Sequence, residues 1–189
     1  MYAFRNTPAA KVRHLVCLDL VRSATRAEGR DLPGLTRRIE VCRRLLLHAR
    51  AREWDITHVH PRSAAKATRP VAGLEPLPTE RLVYRTGLSA FSNRPFCEAV
   101  SALPEVELIL VGFSLSSACL VTALTAHDWG LSVTLAKDAV LGAKPDANGC
   151  IHAEEPERSI VLPFVRIATA DELIDARRGL RLVVDRSCA

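Results

Sequence analysis

No apolar run in the chain approaches the ~20 residues that a membrane-crossing helix needs, so no transmembrane segment and no membrane partner are expected. The first residues, MYAFRNTPAAKVRH, hold no apolar core of the kind a secretory signal carries, and a cytoplasmic location is expected. Aromatic residues make up only 5% of the chain and are not interleaved with its basic clusters. That argues against a nucleic-acid partner, despite a formal net charge of +5 and a pI near 9.1. The six cysteines, at 17, 42, 97, 119, 150 and 188, include no C-x-x-C pair. They read as buried small hydrophobes in a reducing compartment and not as a disulfide framework. Internal repeats and low-complexity tracts are absent as well.

What is present is ordinary for a soluble fold. Hydrophobic residues are 48% and charged residues 25% of 189, enough for one domain, 1–189, with a sizeable core. Leu35, Ile39, Cys42, Leu46 and Ala49 recur at alternating spacings of four and three, which puts them on the buried face of a helix over 34–53. Arg37, Arg38, Arg43, Arg44, Arg50 and Arg52 take its other face, read as solvated helix surface. Further helices are expected at 93–102, 117–129 and 170–177, alternating with strands at 13–19, 55–60, 81–85, 107–112, 131–136 and 164–168. Near-continuous apolar strands with short connections indicate a parallel sheet covered on both faces. Segments 61–80 and 141–160 read as long loops, which in a compact domain are usually functional or mobile.

The densest signal is 106–140, VELILVGFSLSSACLVTALTAHDWGLSVTLAKDAV. Leu108 to Val111 form an apolar strand ending at Gly112. Ser116 and Ser117 offer hydroxyls of the kind that cap a helix, Gly130 stands where a C-terminal glycine is expected, and Leu131 to Leu135 start the next strand. Such a strand-to-helix turn in a parallel sheet points backbone N–H groups outward and favours negative charge.

Gly112, Ala118, Thr122, Ala123 and Gly130 fall at the spacing of a motif of the isochorismatase-like cysteine hydrolases. In that motif a glycine is followed six residues on by a catalytic cysteine, then by Thr-Ala and a further glycine. Two other segments resemble the same family. HLVCLDLV is similar to its first strand, which ends in a catalytic aspartate, here Asp19. ERLVYRTGLSAFSNRPF is similar to its strand with a catalytic lysine, here Arg85, followed four residues later by Ser89, Ala90 and Phe91. FVRIATADELI resembles the last core strand and the start of the last helix, so the resemblance covers roughly 13–175.

The resemblance implies a three-layer α/β/α fold with a mainly parallel six-stranded sheet, order 3-2-1-4-5-6. It also implies hydrolysis of a small molecule with no cofactor, and assembly as a homo-oligomer. Two of the three usual catalytic groups differ, since Ala118 stands for the cysteine and Arg85 for the lysine. The pocket is expected to gather Asp19, Arg85 and Ala118 at the C-terminal edge of the sheet, with Phe91 as an apolar wall, Ser117 and His60 as further substrate contacts, and N–H groups at 117–119 facing it.

Three readings of this pattern stand side by side. One branch of the family hydrolyses isochorismate, a vinyl ether, without a cysteine. Its aspartate protonates the methylene carbon, and a small residue followed at once by cysteine occupies the nucleophile position, as Ala118-Cys119 does here. On that reading Asp19 and Arg85 act on a small anionic substrate, although a guanidinium beside Asp19 favours its ionised form. A second reading is a catalytically inactive pseudoenzyme that binds a ligand or partner. A third is an amidase using Cys119, one residue and ~100° of helix away from the family position. The nicotinamidase branch binds a metal through an Asp-x-His pair, and His58 and His60 lack that aspartate, so no metal is expected.

Overall fold

The computed structural model describes residues 11–22, 34–62, 69–103, 105–145, 151–153 and 165–175. Six parallel strands form the sheet: β1 (Val12–Leu18), β2 (Asp55–Pro61), β3 (Arg81–Arg85), β4 (Val106–Phe113), β5 (Ser132–Leu141) and β8 (Arg166–Ala168). Their spatial order is β3-β2-β1-β4-β5-β8. This is the 3-2-1-4-5-6 order expected from the resemblance, with β1 central. Two short strands, β6 (Ala143–Pro145) and β7 (Ile151–Ala153), pair antiparallel in a separate ribbon. They fall within 141–160, which the sequence suggested was a loop.

Alternation along the strands separates two cores. Leu15, Cys17, Ile56, Ile109 and Val111 face one layer, built on α1 (Leu35–Ala51) and α4 (Ala170–Asp175). Val16, Leu18, Val59, Leu108 and Leu110 face the other, built on α2 (Arg94–Ser101) and α3 (Leu120–Asp128). The result is the three-layer α/β/α arrangement. Among the described residues no helix is long and apolar enough to cross a membrane.

Local chemistry explains the helix ends. The Asn93 side chain accepts the Phe96 N–H and caps α2. Thr169 and Glu172 exchange bonds across the start of α4, a reciprocal capping box visible in the sequence as T-x-x-E. Gly130, at φ 73, closes α3 as expected.

The arginine face of α1 is not simply solvated. Arg38 donates to the Lys137 and Val140 carbonyls, Arg43 to the Ala72 carbonyl, and Arg44 pairs with Asp171. Arg50 makes a two-bond pair with Glu80. These long side chains staple α1 to β5, to α4 and to the 72–80 segment, using contacts far apart in sequence that periodicity does not reveal.

Candidate active site

The site forms where β1 and β4 end side by side. Leu18 pairs with Gly112, and a Cβ built on Gly112 would lie 1.9 Å from the Leu18 carbonyl oxygen. With φ at +116, this position has room and conformation only for glycine. That close approach sets the exit of β1, and the next residue, Asp19, turns into the left-handed region at φ 49. Its N–H donates to the Val59 carbonyl and its own carbonyl accepts the Val21 N–H.

Arg85 is the last residue of β3 and reaches across the end of β2 to Asp19. Nε donates to Oδ1 at 3.2 Å and Nη2 to Oδ2 at 2.5 Å, a two-pronged pair. A third donor, Nη1, bonds the Gly87 carbonyl at 2.6 Å. The pair is largely closed from solvent, with side-chain exposures of 13% for Arg85 and 8% for Asp19. Burial pushes the Asp19 carboxyl up from its ordinary value, and the Arg85 bonds and charge pull it back down without cancelling the rise. The sequence suggested that the guanidinium would decide this balance. Instead desolvation of the carboxylate is the larger effect.

After β4 the chain does not enter an α-helix directly. Leu115–Cys119 form a wide π-type turn before α3, with the Cys119 N–H bonded to the Ser114 carbonyl at 3.1 Å. The Phe113–Ser114 peptide is cis. Neither Ser116 nor Ser117 caps a helix. The turn and α3 begin without side-chain caps, and the Ser116 hydroxyl pairs instead with that of Ser114. The N–H groups of Ser117 and Cys119 both donate to the Ser114 carbonyl, so these two do not face a ligand as expected. The extra residue of a π-turn absorbs donors that a tight α-helical start would leave outward.

Ala118 is fully buried, and it belongs to neither apolar cluster. Cys119 is fully buried and packs in the core with Leu115 and Ala123, so its thiol is turned away from solvent. The ring of Phe91 lies inward against Phe96 and Trp129, with centroids 5.1 and 4.8 Å apart, and is a core contact. His60 is buried on the α1 face against the Tyr84 ring, and burial holds it near a pKa of about 4. His58, two residues earlier, donates to Glu80. Ser117 is partly exposed on the turn. Asp19 and Arg85 are thus in direct contact, while the ring contacts of Phe91 are with Phe96 and Trp129 and that of His60 is with Tyr84. Among the described residues no group of three or more His, Cys, Asp or Glu is placed to hold a metal.

Sequence reasoning missed Gly87, whose role is a backbone carbonyl and leaves no side-chain signature, and Glu80. The Glu80 carboxylate accepts bonds from Arg50, His58 and the Leu77 N–H, and these partners hold it down at about 2.

Known proteins extend the comparison beyond this chain. Solved structures share the fold. An isochorismatase from Pseudomonas putida superposes with a TM-score of 0.74 at 24% identity, covering 89% of this chain and 94% of its own. A cysteine hydrolase from Pseudomonas syringae pv. phaseolicola gives 0.74 at 13% identity, covering 89% and 93%. N-carbamoylsarcosine amidase from Thermoplasma acidophilum gives 0.68 at 15%, covering 86% and 98%. No curated protein matches the sequence. The sequence model of the isochorismatase domain matches residues 13–149, well over half of the chain. With that match, and with the strand order above, the chain belongs to the isochorismatase family.

Proposed function

We propose that the chain is a hydrolase of the isochorismatase type, acting on a small anionic molecule without a nucleophilic cysteine, through Asp19 and Arg85. The observation that carries this reading is the buried two-pronged pair between them. Taking two charges out of water is expensive, and an apolar pair of similar volume is often no less stable. A pocket relieved of its chemistry has no need of such a pair. Asp19 is the proton-transfer group. Its raised pKa keeps the protonated form available at higher pH than for a solvated carboxyl. Arg85 holds the carboxyl in place. A guanidinium has five N–H donors, and three atoms of Arg85 each spend one on Asp19 or Gly87. The remaining donors suit a substrate carboxylate.

A second reading, a ligand-binding protein without turnover, draws on the same turn. Ala118 offers no nucleophile, and the Ser117 and Cys119 N–H groups are bound to Ser114. The test is a panel of isochorismate, nicotinamide and simple ureides assayed on wild type, Asp19→Asn and Arg85→Lys. Asp19→Asn is expected to lower kcat by about 10²–10⁴, and Arg85→Lys to raise KM by replacing a planar fork with a point charge. Turnover that survives Asp19→Asn defeats the mechanism. Binding without turnover on every compound favours the second reading.

A further inference from the structure

The turn between β3 and α2 holds one of the bonds that set Arg85, so what fixes the turn also fixes the pair. Inside the turn the bonds are local. The N–H groups of Thr86 and Gly87 donate to the Ser92 hydroxyl at 3.1 and 2.9 Å, and that hydroxyl donates to the Ser89 carbonyl at 2.7 Å. Asn93 ties the turn back to β3 through the Tyr84 carbonyl. Across the layer, the Ala90 N–H donates to the Thr122 hydroxyl at 3.0 Å, in a fully buried contact.

Thr122 stands in the first turn of α3, which follows directly on the π-turn that holds Ala118. A β-branched residue gains nothing for a helix at such a place. A hydroxyl closed from solvent is useful there only if it is bonded. Valine has nearly the same shape and would fill the same space, but it would leave the Ala90 N–H without an acceptor.

We propose that Thr122 is the positioning residue of the Asp19–Arg85 pair, acting through the turn from Thr86 to Ser92. The connection runs from the Thr122 hydroxyl to the Ala90 N–H, through the turn to the Gly87 carbonyl, and from there to Nη1 of Arg85 at 2.6 Å. It aligns the edge strand that carries the guanidinium with the helix that starts beside Ala118. The role deepens the reading of the pair as the working centre and rests on it, but it is tested without substrate.

Isotope-labelled protein gives two direct readouts: solvent exchange of the Arg85 Nε–H and the pH titration of the Asp19 carboxyl carbon. In Thr122→Val the Nε–H is expected to exchange roughly tenfold faster, the size of one lost buried hydrogen bond, and the Asp19 titration to move. Thr122→Ser keeps the hydroxyl and is expected to match wild type in both. Ala90→Pro removes the donor and leaves Thr122 intact. It suits the first position of a 3₁₀ turn preceded by the extended Ser89, and it is expected to reproduce the Thr122→Val signature even if that variant folds poorly. The proposal is overturned if Ala90→Pro leaves both readouts at wild-type values, or if Thr122→Ser disturbs them as much as Thr122→Val. Neither outcome touches the hydrolytic reading, which the substrate panel decides.

Discussion

At the scale of single residues, Asp19 and Gly112 are two halves of one arrangement. Asp19 holds a left-handed backbone conformation that costs an aspartate on the order of 1–2 kcal/mol. It is over-determined by the Val59 and Val21 backbone bonds and by Arg85. Asparagine tolerates that conformation well, so Asp19→Asn strains no backbone, but it leaves the buried Arg85 charge without its carboxylate, and urea unfolding of the variant accompanies its assay. Gly112→Ala places a Cβ against the Leu18 carbonyl oxygen at φ +116. It is expected to lose about 2–4 kcal/mol in urea unfolding, and an unchanged midpoint would contradict the packing described for β1 and β4. The Cys119 thiol, packed among Leu115 and Ala123, should react with a thiol reagent only slowly until the protein is unfolded. Rapid native-state labelling that blocks turnover and vanishes in Cys119→Ser would restore the amidase reading.

At the scale of elements, Glu80 joins three pieces of chain: the end of α1 through Arg50, β2 through His58, and its own loop through the Leu77 N–H. Removing one partner of such a cluster leaves buried charge uncompensated. Glu80→Ala should therefore destabilise the protein by about 3–5 kcal/mol, read by thermal or urea unfolding. A loss under 1 kcal/mol would mean that solvent replaces the carboxylate. Glu80 also shows what a sequence conceals. Its side-chain partners lie 22 and 30 residues away, and no local spacing encodes them. The central strands were legible because a doubly covered parallel strand is apolar nearly throughout. The buried face of α1 was legible because helical periodicity is a local property. Asp19, Arg85 and Gly112 were found because the family resemblance rests on residue identity at those positions. The π-turn escaped because Ser114 to Cys119 suit an ordinary helix start equally well. The β6–β7 ribbon escaped because three-residue strands carry too little pattern to separate them from a loop. The arginines of α1 looked solvated because a charged helix face has the same composition whether water or a neighbouring carbonyl receives it.

At the scale of the whole molecule, buried titratable groups set the pH range of the fold. His14 and His60 are each held at about 4 by burial, against an ordinary value near 6.5 in an unfolded chain. The folded protein therefore binds fewer protons in that window. Their contribution is complete above pH 6.5 and is lost as pH falls toward 4, on the order of 3 kcal/mol for each. Glu80, held at about 2 against an ordinary value near 4.5, adds a loss at still lower pH. Asp19 runs the other way, because a raised carboxyl contributes most at low pH and least above its folded value. The net expectation is a urea midpoint that falls between pH 7 and pH 4.5, with a shallower fall in His60→Gln. A midpoint independent of pH would mean that these histidines are solvated. The sheet order has one more effect. Asp19 leaves the central strand and Arg85 ends β3, the outermost strand of its side, with β2 between them. A sheet's margin frays before its middle, so every transient loosening of β3 also unlatches the carboxylate. Any molecule that settles on the latched pair must hold the margin shut. Deuterium uptake at the amides of Arg81–Arg85 then becomes a gauge of ligand binding that works before the chemistry of the ligand is known.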